Sequence, residues 1–327
     1  MSGPSRGGAR LRAAVVGVGY LGRFHALKYA AHPDVDLVAV ADVDADRCRA
    51  VATEVGAAVL ADHRALRGRV DCVSVAVNTP QHFAVARDLL EAGIDVLVEK
   101  PVTTTLEEGK GLLELAVREQ RVLQVGHLER FNPAVRALEG LVAHPRFIEC
   151  QRLAPLGERG TDVDVVLDVM IHDIDLLLAM VASPLRSVEA VGVPVLTTSV
   201  DIANARLRFA NGCIANVTAS RVSAKRERKL RIFQADAYFS LDFDLRQVRL
   251  CRREPGPDGR PVLSFEQLEV PAGDALAAEI DAFVHAVRLG EPPAVTGWDG
   301  LRALEVAHVV RECVETEVRA VATAPVE

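Results

Sequence analysis

Residues 11–42 read LRAAVVGVGYLGRFHALKYAAHPDVDLVAVAD. A β-branched run at 12–17 leads into Gly17-x-Gly19-x-x-Gly22. A helical pattern comes next, near 20–31, and a second apolar run at 36–41 ends on Asp42. Strand, glycine turn, helix and acid-terminated strand together are the context in which such a turn grips a dinucleotide. Gly17 makes the tight turn, Gly19 lets backbone approach a pyrophosphate, and Gly22 lets the helix pack closely on the strand. The helix N-terminus then faces the phosphate charge. Asp42 is placed to accept hydrogen bonds from the adenosine ribose and to repel the extra phosphate of NADP. Arg47 is the nearest cation, one turn into the next helix. NAD is therefore the expected cofactor.

Outward from this stretch, apolar runs at 70–77, 94–98 and 121–125 alternate with helical patterns near 44–55, 80–92 and 103–119. That alternation predicts parallel strands joined by crossover helices, in a sheet covered on both faces. After about residue 126 the pattern changes. One long apolar helix spans 162–181. Strand-like runs come after it at 186–196, 201–210, 213–221, 229–235, 237–243 and 246–252. Asn211-Gly212 marks a hairpin and 255–260 another turn. Helical patterns near 274–289 and 298–318 close the chain. The predicted fold is α/β. Residues 1–10 form a loose tail and 11–126 a Rossmann domain with a doubly wound parallel sheet. Residues 127–327 form an α/β domain for substrate binding and oligomerisation, built on an open, mainly antiparallel sheet.

A length of 327 residues suits two domains. The net charge of −7 weighs against a nucleic-acid partner. The six cysteines form no Cys-x-x-Cys pair and read as reduced core thiols. The first residues lack the apolar core of a signal peptide, and no apolar stretch is long enough to insert in a membrane. The expected location is the cytoplasm.

Five further segments carry chemistry. Asn78-Thr79-Pro80-Gln81-His82 comes after the apolar run at 70–77, at the carboxyl edge where ligands of this architecture lie. Thr79 either caps the helix that Pro80 starts or contacts cofactor, and His82 either joins it or is a surface residue. Glu99-Lys100-Pro101 ends the next run. Lys100 is either a proton donor and acceptor oriented by Glu99 or half of a solvated pair. Asp168, His172 and Asp175 stand at i, i+4 and i+7 in an apolar helix, spacing that places them on one face. They read as a proton-transfer site or as a satisfied helix face. A metal site lacks its usual His-Glu-x-x-His or cysteine ligands, and no metal is expected. Finally, His127, Arg130 and Asn132 lie at the predicted domain junction, where substrate clefts form. The basic run 221–231 holds Lys225, Arg226 and Lys229, in a solvated loop or a site for an anionic substrate.

The ordered set of Gly17-x-Gly19-x-x-Gly22, Asn78-Thr79-Pro80, Glu99-Lys100-Pro101 and Asp168-x-x-x-His172 resembles the Gfo/Idh/MocA oxidoreductase family. The resemblance covers nearly the whole chain. It implies catalytic roles for Lys100, Asp168 and His172. Cofactor contacts would come from Gly17, Gly19, Tyr20, Leu21 and Gly22 of the turn, then Asp42, Asn78, Thr79, Pro80, His82, Glu99 and Lys100. It also implies homodimers or homotetramers. Met170 stands where the family often has glycine, which narrows space beside the site. The runs GHLERFNPA and DVMIHDIDLL resemble the subgroup of UDP-N-acetylglucosamine 3-dehydrogenases. The implied activity is NAD-dependent oxidation of the sugar C3 hydroxyl. A free sugar, an inositol or another cyclic polyol is the alternative substrate, and a non-catalytic NAD-binding sensor the alternative of another class.

Overall fold

The computed structural model describes residues 9–155, 163–256, 258 and 260–323. Residues 1–8 of the expected tail, residue 162 of the expected long helix, and 257 and 259 of the 255–260 turn lie outside that set. The first stretch of chain runs β1 (Leu11–Val16), α1 (Tyr20–Ala31), β2 (Val35–Ala41), α2 (Ala45–Val55) and β3 (Ala58–Leu60). It continues through β4 (Cys72–Val75), α3 (His82–Glu91), β5 (Asp95–Glu99), α4 (Leu106–Arg118) and β6 (Leu123–Gly126). The six strands are parallel and ordered β3-β2-β1-β4-β5-β6, the Rossmann order. Ala13, Ala14 and Val15 of β1 are 0% exposed, as a strand with helices over both faces requires.

Beyond it come α5 (Pro133–Arg136), β7 (Phe147–Leu153) and a π-helical turn over Val166–Met170 that leads into α6 (Ile171–Met180). The remaining strands are β8 (Leu185–Val193), β9 (Ile202–Phe209), β10 (Ile214–Ser220), β11 (Glu227–Phe233), β12 (Ala237–Asp242), β13 (Gln247–Pro255) and β14 (Pro261–Leu268). The order is β14-β13-β12-β11-β7-β10-β9-β8, antiparallel throughout except where β10 pairs with β7. Asn211 and Gly212 turn the chain between β9 and β10; Gly212 takes φ +86° and the Asn211 side chain accepts from Cys213 N–H. β7 lies in the middle of this sheet yet has no clean apolar signature. Its buried positions are Ile148, Cys150 and Arg152, and the arginine breaks the alternation.

Two helices close the chain, α7 (Ala275–Leu289) and α8 (Gly297–Thr323). Here the structure departs from the boundary drawn at 126/127. One compact unit joins residues up to Phe131 with Asp274–Leu304; the other comprises Asn132–Gly273 with 305 onward. The reason is the apolar face of α7. Ile280, Phe283, Val284 and Val287 share one core with Leu11, Ala13, Val15 and Tyr29. Among the described residues no helix is long and apolar enough to cross a membrane.

Candidate active site

The glycine turn has the backbone geometry its spacing predicts. Gly17 has φ +83°, and a Cβ there would lie 2.6 Å from the Ala76 carbonyl oxygen. A Cβ on Gly22 would lie 1.8 Å from Gly17 O, so no side chain fits. Nothing stands within 4 Å of a Cβ on Gly19, which leaves open space over the turn. Helix α1 begins there with no side-chain cap and no acid in its first turn. By contrast Asp44 caps α2, and Thr105 and Glu108 form a capping box on α4. An uncapped helix start offers its N–H groups to an anion. Tyr20 in the first turn is 62% exposed, with Leu21 half-buried beside it.

The turn opens on a cleft of about 400 Å³ whose walls include Gly17, Gly19, Asp42, Arg47, Asn78 and Gln81. Asp42 is held rigidly. Its carboxylate accepts from Val18 N–H and Asp44 N–H, each at 2.8 Å, and pairs with Arg47 Nη2 at 3.1 Å. His63 and Arg64, which lie in no motif, also line the cleft. Only the folded β3–β4 connection brings them there. An uncapped helix start, a side-chain-free turn and a fixed carboxylate fit a dinucleotide.

The other expected cofactor residues divide. No side chain caps the 3-10 turn Thr79–Gln81 or α3, so the capping role for Thr79 is absent. His82 is 1% exposed, neither a surface residue nor a wall of the cleft. Its Nδ1 lies 2.8 Å from Pro101 O and its Nε2 3.1 Å from Val77 O, tying the ends of β4 and β5 together. Burial lowers its pKa and so favours a neutral ring, which can donate to only one of these carbonyls. Glu99 turns into the core, where Oε1 meets His25 Nε2 at 3.0 Å. Lys100 is half-buried at the strand end, with a cis peptide joining it to Pro101.

In the second unit Asp168 and His172 are half-buried while Asp175 is 1% exposed. A π-helical turn precedes α6: Ile171 N–H bonds to Val166 O, five residues back. Three side chains that were not among the expected site residues brace this helix. Asp164 accepts from Val166 and Leu167 N–H at the helix start and pairs with Arg311. Arg152 grips Asp173 through two bonds, at 2.8 and 3.2 Å, with its guanidinium over Phe243. Arg221 donates to Val163 O and to Asp201. Burial opposes charge on Asp201, yet hydrogen bonds from Thr197 and Leu196 and the Arg221 pair hold its carboxyl well below the usual range.

The substrate candidates also separate. His127 is buried, and Arg130 lies 3.9 Å from Asp299. Asn132 caps α5 through Ala134 N–H. Lys225 and Arg226 are exposed, with Arg226 paired to Asp244, and Lys229 pairs with Glu227.

Comparison with known proteins agrees with this architecture. Residues 11–127 match the oxidoreductase family with an NAD-binding Rossmann fold, and residues 135–239 match the Gfo/Idh/MocA C-terminal domain. UDP-N-acetylglucosamine 3-dehydrogenase of Acidithiobacillus ferrooxidans is 40% identical over 93% of this chain and 97% of its own. A solved structure of that enzyme superposes with a TM-score of 0.88, covering 94% of this chain and 99% of its own at 39% identity. Myo-inositol 2-dehydrogenase of Thermotoga maritima is 26% identical over 93% of this chain and 96% of its own. The chain is therefore an NAD-binding dehydrogenase of the Gfo/Idh/MocA oxidoreductase family.

Proposed function

We propose that the chain oxidises the C3 hydroxyl of UDP-N-acetylglucosamine to a 3-keto sugar, a step in making amino sugars for lipid A or other surface glycans. The observation that carries this reading is the 40% identity, spanning nearly the full length of both chains, to an enzyme named for that reaction. NAD, when bound, supplies the acceptor for the hydride that leaves C3. The residues of this chain hold the sugar and handle the proton.

The hydroxyl proton goes to Lys100 or His172, with Asp168 beside the histidine in sequence on the same helix. The bracing of that helix supports this role, since catalytic groups need fixed geometry. Lys225, Arg226 and Lys229 form the proposed diphosphate contact. The acid partners of Arg226 and Lys229 do not argue against it, because exposed ion pairs contribute little and a diphosphate can replace them. His127, Arg130 and Asn132 complete the proposed sugar contacts. The open sheet is proposed to pair copies into a dimer or tetramer, with the half-buried cluster of Phe147, Phe233 and Tyr238 on its face.

The test is deuterium at C3 of the sugar. The reading predicts a slowed turnover and label recovered in reduced cofactor. Label retained in the sugar product, or deuterium at another carbon giving the effect, would refute C3 as the site of oxidation.

A further inference from the structure

Lys100 stands between two residues that the first unit anchors differently. On one side Glu99 bonds to His25 Nε2 at 3.0 Å, and its backbone is still paired with Gly126 of β6. Glu279 of α7 adds no tie there. It brings a polar atom within 4.8 Å of Glu99 and His25, yet neither of its carboxyl oxygens has a hydrogen-bond partner. Burial, with the Glu99 charge adding to it, pushes that carboxyl well above the ordinary range.

On the other side is Pro101. The pairing of β4 with β5 stops at Val75 and Val98. Beyond it, Ala76, Val77 and Asn78 join the wall of the dinucleotide cleft, while Lys100 and Pro101 continue from β5. Proline has no N–H with which to extend a ladder. His82, the first residue of α3, reaches both chains, with Nδ1 2.8 Å from Pro101 O and Nε2 3.1 Å from Val77 O. The ring is 1% exposed, and burial favours its neutral form, which has one N–H to give. The shorter contact is the one to Pro101. Gln81, the residue before His82, lines the cleft.

We infer that His82 is a positioning residue for Lys100: its Nδ1–H donates to Pro101 O and ties the turn that carries the lysine to the start of α3, beside the cofactor cleft. The neutral ring cannot also donate to Val77 O. Hydride and proton leave the same alcohol group, so the lysine must keep its place relative to bound cofactor, and a misplacement of about 1 Å costs turnover heavily. The inference rests on the proposed role of Lys100.

Variants of the full chain test it, assayed with NAD and UDP-N-acetylglucosamine. His82→Phe keeps a ring and removes the donor; it is expected to lower kcat about 10- to 100-fold, with both KM values within about twofold. His82→Asn carries an amide nitrogen as many bonds from Cβ as Nδ1, and should recover kcat to within about threefold of the wild type. His82→Gln carries its nitrogen as far out as Nε2, toward Val77, and should not recover it. A merely structural role would not separate the two amides. In nitrogen-15 NMR of histidine-labelled protein, the signals lost in His82→Asn should be those of a neutral ring protonated at Nδ1. Wild-type kcat in His82→Phe beside an inactive Lys100→Ala removes the role of His82 alone. Normal turnover by Lys100→Ala removes the lysine, and this role with it. A ring protonated at Nε2 instead, equal losses in the asparagine and glutamine variants that track Tm, or a raised KM for NAD at unchanged kcat also overturns the inference.

Discussion

Helix α1 starts with no side chain over its N–H groups, whereas the helix carrying Asp168 and His172 is held by Asp164, Arg152 and Arg221. The first arrangement presents backbone: glycine clears the approach, and the helix end supplies the field. The second presents side chains, which must be aimed, so buried charges on neighbouring strands hold the helix still. A cofactor common to many enzymes is met by geometry that local sequence encodes. A particular substrate is met by residues whose placement depends on distant partners.

The largest effect that sharpens this contrast is chemical. Lys100→Ala should lower kcat by about 10²–10⁴-fold while leaving NAD affinity intact, measured by stopped-flow turnover and cofactor titration. Next, Arg152→Leu strands the Asp173 carboxylate in the core. Removing one partner of such a pair costs about 3–5 kcal/mol, to be seen as a fall in denaturant midpoint. In the first unit Gly22→Ala forces a Cβ against Gly17 O, and NAD should bind about 10- to 100-fold more weakly. Gly19→Ala, with open space, should be far milder; equal effects would break the account of the turn.

The smallest effect is a pH slope. Glu279 has an ordinary value of 4.5 and is raised in the fold. Its contribution to stability is therefore full below about pH 4.5 and is lost as pH rises toward the folded value. Glutamine does not titrate. Glu279→Gln should gain on the wild type from about pH 4.5 upward, by at most about 1.4 kcal/mol per pH unit. A parallel pair of stability curves would contradict this.

The same division decides how much of the molecule is legible in its sequence. The strand–turn–helix around Gly17, and the acid at Asp42, are local and can be read directly. Glu99-Lys100-Pro101 stands out because a charged pair ends an apolar run. Glu279 does not, since its contact with Gln124 spans 155 residues of chain. The helix 274–289 is legible, but not the unit whose core it joins. The π-helical turn over Val166–Met170 is not legible either, because it leaves no mark in a pattern of period 3.6. β7 escapes the pattern because its core position 152 holds an arginine that pairs only in the fold.

The most direct test is the choice of substrate. Purified protein is mixed with NAD and, separately, with UDP-N-acetylglucosamine, other UDP-sugars, free sugars, inositols and other cyclic polyols, and reduced cofactor is monitored by absorbance. The account predicts reduction with UDP-N-acetylglucosamine at a kcat/KM far above that of any polyol or free sugar. Turnover of an inositol or free sugar with none of any UDP-sugar would contradict it.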